Sequence, residues 1–174
     1  NYLSEFQKEG KLYRQDNIYS ENAIINHILN RKIEYCNNNG LSIKCMVCGE
    51  LKGVSDYDIH IILENLLDNA IEAALKAVNK RISVDIYSDE QAMVIKISNT
   101  TEENVLKNNP EMNTTKKDNS YHGYGIRNVS ELVKKNNGTI EYIQLGVDIV
   151  QCRVLLLSLI HIPSPRDAHE SRMP

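Results

Sequence analysis

The chain has 174 residues and a net charge of −3, with 41% hydrophobic residues, which suits one domain with one core and no more than a short appendage. No basic run offers an electrostatic footprint for nucleic acid, and no apolar run nears the roughly 18 residues that span a membrane. A signal-peptide pattern is missing too, and because the first residue is Asn1 the chain reads as a piece of a longer one, any membrane-spanning part lying upstream.

Residues 1–19 are charged and tyrosine-rich with a weak apolar rhythm (Leu3, Phe6, Leu12, Tyr13), and read as a frayed helix end plus a linker. Ser20 is the expected N-cap of a helix running to about Asn38. Ile25, Ile28, Leu29, Lys32 and Cys36 lie along one side of it, and Asn39-Gly40 supplies a left-handed stop. A strand is expected over 41–48, where Leu41, Ile43, Cys45 and Val47 alternate with Ser42, Lys44, Met46 and Cys48. On a strand, positions i and i+3 point to opposite faces, so Cys45 and Cys48 cannot share a zinc ion. No second CxxC exists, and the four cysteines read as ordinary reduced thiols of a cytosolic protein.

A turn over 49–55 leads to Ser55-x-x-Asp58, a capping-box pattern opening a long helix expected to end near Asn79. Ile59, Ile62, Leu63, Leu66, Leu67, Ala70, Ile71, Ala74, Leu75 and Val78 form one sustained helical stripe. Asn65, Asn69, Glu72 and Lys76 fall on another line of the same helix. Asparagine is a mediocre mid-helix residue, so a pair four apart beside a core stripe asks for a reason. Two amide oxygens aimed at a hard cation such as Mg²⁺ and its water shell are one; amides capping a neighbouring loop, or facing solvent, are the other.

Ile82-Val84-Ile86 and Met93-Ile95-Ile97, joined by Ser88-Asp89-Glu90-Gln91, predict a β-hairpin whose second strand ends at Ser98-Asn99-Thr100. Residues 101–121 then turn polar, with little apolar periodicity. A segment of that length reads as a functional lid or as disorder, expected to be poorly ordered without a ligand and protected with one. His122-Gly123-Tyr124-Gly125 opens a short helix carrying Ile126, Val129, Leu132 and Val133, stopped by Asn137-Gly138. A glycine turn at a helix start presents free N–H groups and the positive end of the dipole to an anion, typically phosphate, although a GxG alone also arises in ordinary turns. Strands at about 139–144 and 149–156 close the domain. The tail from Leu157 continues no sheet pattern and resembles the conceptual translation of a transposase-based sequencing adaptor read with one base missing, so 157–174 is set aside as non-native.

The order of these parts resembles the ATP-binding catalytic domain of the GHKL superfamily, which includes sensor histidine kinases, DNA gyrase, Hsp90 and MutL. Residues 62–74, with Asn65-Leu66-Leu67-Asp68-Asn69-Ala70-Ile71-Glu72-Ala73, look like its N box, and residues 122–129 look like its second glycine box. Thr114-Thr115-Lys116 lies where many of these kinases carry a Thr/Lys motif, and Asn22 to Lys32 resembles the helix that leads into the domain. The likeness covers about residues 18–156 and is strongest to peptide-pheromone, quorum-sensing kinases of Gram-positive bacteria.

That resemblance implies an α/β fold, a two-layer sandwich of a mixed sheet against three helices (the Bergerat-type ATP-binding fold). It divides the chain into the end of a dimerisation helix with its linker (1–19), an ATP-binding catalytic domain (20–156) and the tail. The implied ligands are ATP and Mg²⁺. The implied partners are an upstream dimerisation and phosphoacceptor domain of the same protein, a homodimer in the parent, and a response regulator. The implied setting is the cytoplasmic side of a membrane-anchored bacterial receptor. Asn69 matches the Mg²⁺ ligand. Asn65 matches a position where some relatives carry a carboxylate base for water, a role an amide cannot fill. Gly123 and Gly125 match the phosphate cradle, with Lys116 and His122 either contacting phosphate or simply solvated. The first glycine box, Asp-x-Gly-x-Gly in most relatives, is replaced by Ile97-Ser98-Asn99-Thr100. The Asn99 oxygen can still accept from an adenine amino group, or Asn99 merely ends the strand. His27 and His60 do not match the phosphoacceptor, which belongs upstream. A nucleotide-gated interaction module without phosphotransfer is the other function compatible with these residues.

Overall fold

The computed structural model describes residues 18, 20–49, 53–102, 104–108 and 124–158. In chain order the elements are α1 (Ala23–Asn38), β1 (Ser42–Cys48), α2 (Asp56–Lys76), β2 (Arg81–Ser88), β3 (Ala92–Thr100), α3 (Val105–Asn108), α4 (Tyr124–Lys135), β4 (Thr139–Gln144) and β5 (Ile149–Leu157). The five strands make one sheet in the order β1-β2-β3-β5-β4, with β1 and β2 parallel and the other pairs antiparallel. A parallel pair needs a crossover, and α2 supplies it between β1 and β2. The three long helices cover one face, α2 lying against β3 with α1 and α4 beside it. This is the expected two-layer α/β sandwich.

Strand alternation decides which side chains meet that layer. Ile82, Val84 and Ile86 of β2, Met93, Ile95 and Ile97 of β3, and Val150, Cys152, Val154 and Leu156 of β5 are buried. They meet the α2 stripe from Ile59 to Ala74, which is buried as its period requires. Ser83, Asp85 and Tyr87 alternate with the buried β2 residues, and the Lys96 ammonium stands 5.3 Å over the Tyr87 ring. Cys45 packs against the core while Cys48 does not, as the alternation requires. All four thiols are free, and burial pushes those of Cys45 and Cys152 up to about 12. Among the described residues no group of three or more His, Cys, Asp or Glu could hold a metal, and no helix is long and apolar enough to cross a membrane.

Two helix ends differ from expectation. The N-cap of α1 is Asn22, whose side-chain oxygen accepts from the Ile25 N–H at 2.9 Å, not Ser20. Ser20 is engaged elsewhere: Asn26 accepts from its N–H at 2.6 Å and donates to its carbonyl at 2.7 Å, and Asn30 grips Ile18 in the same two-bond manner one turn on. A side-chain contact from within α1 thus removes one of two cap-competent residues. Helix α2 stops at Lys76 rather than near Asn79. Ala77 turns to extended backbone, and Val78 is left 96% exposed instead of joining the stripe. The Asn79 carbonyl then accepts from the Thr100 hydroxyl, tying the turn to the end of β3. Strand β5 extends one residue past Leu156, and the Ser158 N–H donates to the Gln91 carbonyl at 2.8 Å. The run expected to lack periodicity from Thr101 onward begins with a buried Thr101 and holds the single turn α3, where Asn104 accepts from the Lys107 N–H.

The stop after α4 uses Asn137 at φ 50°, followed by Gly138, whose N–H donates to the Val133 carbonyl at 2.8 Å. A Cβ on Gly138 would stand 2.0 Å from the Leu155 carbonyl oxygen, whereas one on Gly146 meets nothing within 4 Å. Gly138→Ala is therefore expected to lower the unfolding free energy by about 1–3 kcal/mol in urea titrations, with Gly146→Ala near neutral. Equal stabilities for the two variants would contradict the packing of α4 against β5.

Candidate functional site

Helices α2 and α4 run antiparallel, and the candidate site lies where the start of α4 meets the middle of α2. The side-chain Nδ2 of Asn65 donates to the Ile61 carbonyl one turn back at 2.7 Å. That bond fixes the amide, and its oxygen points at the backbone of Gly125: a Cβ built there would stand 2.7 Å from Asn65 Oδ1. Only glycine allows this approach without displacing the amide. The first turn of α4 adds N–H groups that have no partner inside the helix and the positive end of its dipole. Asn69, half-buried one turn further along α2, has no hydrogen-bonding partner among the described residues.

The carboxylates that precede these asparagines are neutralised from α1. Lys32 is only 8% exposed, and its ammonium lies 2.8 Å from Glu64 and 2.6 Å from Asp68. Arg31 pairs with Glu64 as well. Burial alone would raise the Glu64 carboxyl, but the hydrogen bond and charge of Lys32, with those of Arg31, outweigh it and hold it below the ordinary 4.5. The α1 stripe carried Lys32 among apolar neighbours, which was the one sequence signal for this cluster.

Asn99 sits at the end of β3 on the helix-facing side, 7% exposed, with Nδ2 donating to the Thr100 carbonyl at 3.0 Å. Its oxygen remains an available acceptor. Among the described residues, then, Asn65 and Gly125 are brought together, Asn69 continues the same helix, and Asn99 belongs to the sheet layer with no hydrogen bond to the other three. Lys116, His122 and Gly123, and the Thr114-Thr115 pair, lie outside the described residues. A groove of about 230 Å³ past Ser42, Lys44, Arg81, Ser83, Ser98 and Asn99 touches neither α2 nor α4, so it is not where the asparagines and the glycine meet. A second polar cluster, Asp58 with Lys135 and Asn136, joins the opposite ends of the same two helices. Nothing but the Ser55 cap pattern marked Asp58 in the sequence.

The GHKL domain family profile matches residues 54–155, more than half of the chain. The chain belongs to the GHKL domain family. No curated protein matches it significantly in sequence. Among solved structures, this GHKL domain is similar to the nucleotide-free catalytic domain of histidine kinase ThkA, with a TM-score of 0.61 at 13% identity over 80% of this chain and 93% of that one. A second crystal form of ThkA gives 0.62 at 14% identity over 80% and 93%. Histidine kinase AdeS of Acinetobacter baumannii gives 0.56 at 16% identity over 90% of this chain and 74% of that one. At these identities the likeness is one of fold.

The Glu64 cluster sets a pH dependence. A carboxylate held below its ordinary value adds stability above that value and loses it as pH falls through the lowered native one. The unfolding free energy should therefore decline as pH drops from about 4.5. Glu64→Gln should be less stable at neutral pH and show a shallower decline over that window. Parallel curves for variant and wild type would mean that the cluster contributes nothing.

Proposed function

We propose that the chain is the Mg-ATP-binding catalytic domain of a sensor histidine kinase. It would donate the γ-phosphoryl group to a histidine on an upstream dimerisation domain of the same protein, in quorum-sensing-type two-component signalling with a response regulator downstream. Residues 20–156 would form this domain, on the cytoplasmic side of a membrane-anchored receptor. The observation that supports the reading is the close approach of the Gly125 backbone, in the first turn of α4, to Asn65 of the asparagine pair.

The residues fit the ligands. Asn69 offers an amide that no described residue engages, suited as an oxygen ligand for Mg²⁺. The backbone N–H groups at Gly125 suit phosphate oxygens, and Gly123 would add to them. Lys116 and His122 would add contacts to the phosphates, and the Asn99 oxygen would accept from the adenine amino group. Bound Mg²⁺ supplies charge neutralisation on the phosphates. Asn65 cannot take a proton, so the site lacks a base there for activating water, and hydrolysis by the isolated domain should be very slow. The acceptor imidazole nitrogen bonds to the γ-phosphorus as the bond to the β–γ bridging oxygen breaks and ADP leaves. The site contributes position and electrostatic stabilisation to that transfer.

Asn99, standing where most relatives carry a carboxylate, favours a second reading, a nucleotide-gated interaction module without transfer. Radiolabelled ATP with Mg²⁺ and a separate fragment bearing the upstream helices distinguishes the two. The kinase reading expects acid-labile, base-stable label on the fragment and none on this chain. Loss of partners outside a metal's ligand set already costs about 10–100-fold in affinity, so Asn69→Ala should weaken Mg-ATP binding at least that much and abolish labelling. Asn69→Asp should be milder. Tight binding without label would support the module, and no Mg-dependent binding at all would overturn both.

A further inference from the structure

The buried carboxylate of Asp58 has no part in the site just described, and it is 1% exposed. It lies in the first turn of α2, where its N–H donates to the Ser55 hydroxyl at 3.1 Å. Lys135 Nζ stands 3.1 Å from Oδ1 and 3.0 Å from Oδ2, and Asn136 Nδ2 donates to Oδ2 at 2.9 Å. Asn136 is itself buried. The same Nδ2 donates to the Leu132 carbonyl at 2.9 Å, and the Asn136 carbonyl accepts from the Leu157 N–H at 3.1 Å. Together these bonds tie three segments to one another: the start of α2, the end of α4 and the end of β5.

The antiparallel pair α2–α4 is therefore bonded at one point, Asp58 with Lys135 and Asn136, and closely apposed at another, Asn65 with Gly125. Asp58 and Asn65 are about 10.5 Å apart along α2, and Gly125 to Lys135 spans about 15 Å along α4. Apolar ridges alone permit alternative settings of two helices, whereas charge-assisted hydrogen bonds are directional and fix one. A buried carboxylate is seldom the most stabilising choice, since an apolar side chain of similar volume often does as well; the best-attested use of buried polar groups is to specify register.

We propose that Asp58 is a positioning residue for nucleotide binding, holding α4 at the axial register that sets the Gly125 backbone against Asn65. The inference rests on the nucleotide-site reading above. It assigns the opposite end of the helix pair a share in forming that site.

The test compares the full chain with Asp58→Leu, Asp58→Asn and Lys135→Met, by titration with Mg-ATP and by amide hydrogen exchange without nucleotide. Asp58→Leu keeps the volume and removes the acceptors. It should bind Mg-ATP about tenfold or more weakly and should speed exchange at residues 125–129, which lie about 9–15 Å along α4 from Lys135. Asp58→Asn keeps an oxygen for Asn136 and should recover most of both, whatever the order of melting temperatures. Lys135 is 63% exposed in its side chain, so Lys135→Met leaves the core alone and decides the matter, with a smaller loss, should Asp58→Leu not fold. Wild-type affinity and wild-type exchange at 125–129 in the folded variant would overturn the proposal and leave Asp58 a stability residue. If the wild-type chain bound no nucleotide, the nucleotide reading would fail, and the exchange at 125–129 would still decide whether Asp58 sets the register.

Discussion

Gly125 can stand against Asn65 because it lacks a side chain, and the candidate site follows from that approach. The approach needs α2 to hold its place, and α2 is held because its apolar stripe is buried against β2 and β3 and flanked by α1 and α4. It also needs the Asn65 amide to hold still, which the bond to the Ile61 carbonyl provides. With one amide turned back on its own helix and the next, Asn69, unengaged, the two asparagines are not equivalent. Their difference in surroundings matches the division of roles proposed for them.

Charge around the site is arranged with the same economy. Glu64 and Asp68 adjoin the two asparagines in sequence, and bare carboxylates there would add negative charge near an anionic ligand. Lys32 and Arg31 neutralise them from the neighbouring helix. Because Lys32 is buried, its ammonium is held in place, and α1 takes part in the electrostatics of a site it does not touch. The grip of Asn26 and Asn30 on Ser20 and Ile18 fastens the preceding segment to the same helix. Helix α1 thus carries both the grip on the preceding segment and the ion pairs to α2.

Local pattern carried the parts of this structure that depend on periodicity. The 3.6-residue stripe of α2, the alternation of β2, β3 and β5, and the glycine-opened α4 were all legible, because each repeats over many residues. Single-residue decisions were not. Ser20 and Asn22 are both competent caps, and only the side-chain bonds of Asn26, six residues on from Ser20, separate them. Ala77 and Val78 carry no helix-stopping signal, and α2 ends there because the chain must turn into β2 and tie to Thr100. Asp58 and Asn136 stand 78 residues apart, so no window along the chain could pair them. In the candidate site, the residue types and spacing of Asn65, Asn69 and Gly125 were readable, but the contact between the first and the last is a property of the fold.

The central claim is that the asparagine turn of α2 and the start of α4 form one nucleotide site. Its most direct measurement is a titration of the isotope-labelled chain with a non-hydrolysable Mg-nucleotide, followed by backbone and side-chain amide resonances. The account predicts that the side-chain amides of Asn69 and Asn65 and the backbone amides at 125–127 shift together along one binding curve, with Asn99 responding on the same curve. Shifts confined to Ser42, Lys44, Ser83 and Ser98, with α2 and α4 silent, would contradict it.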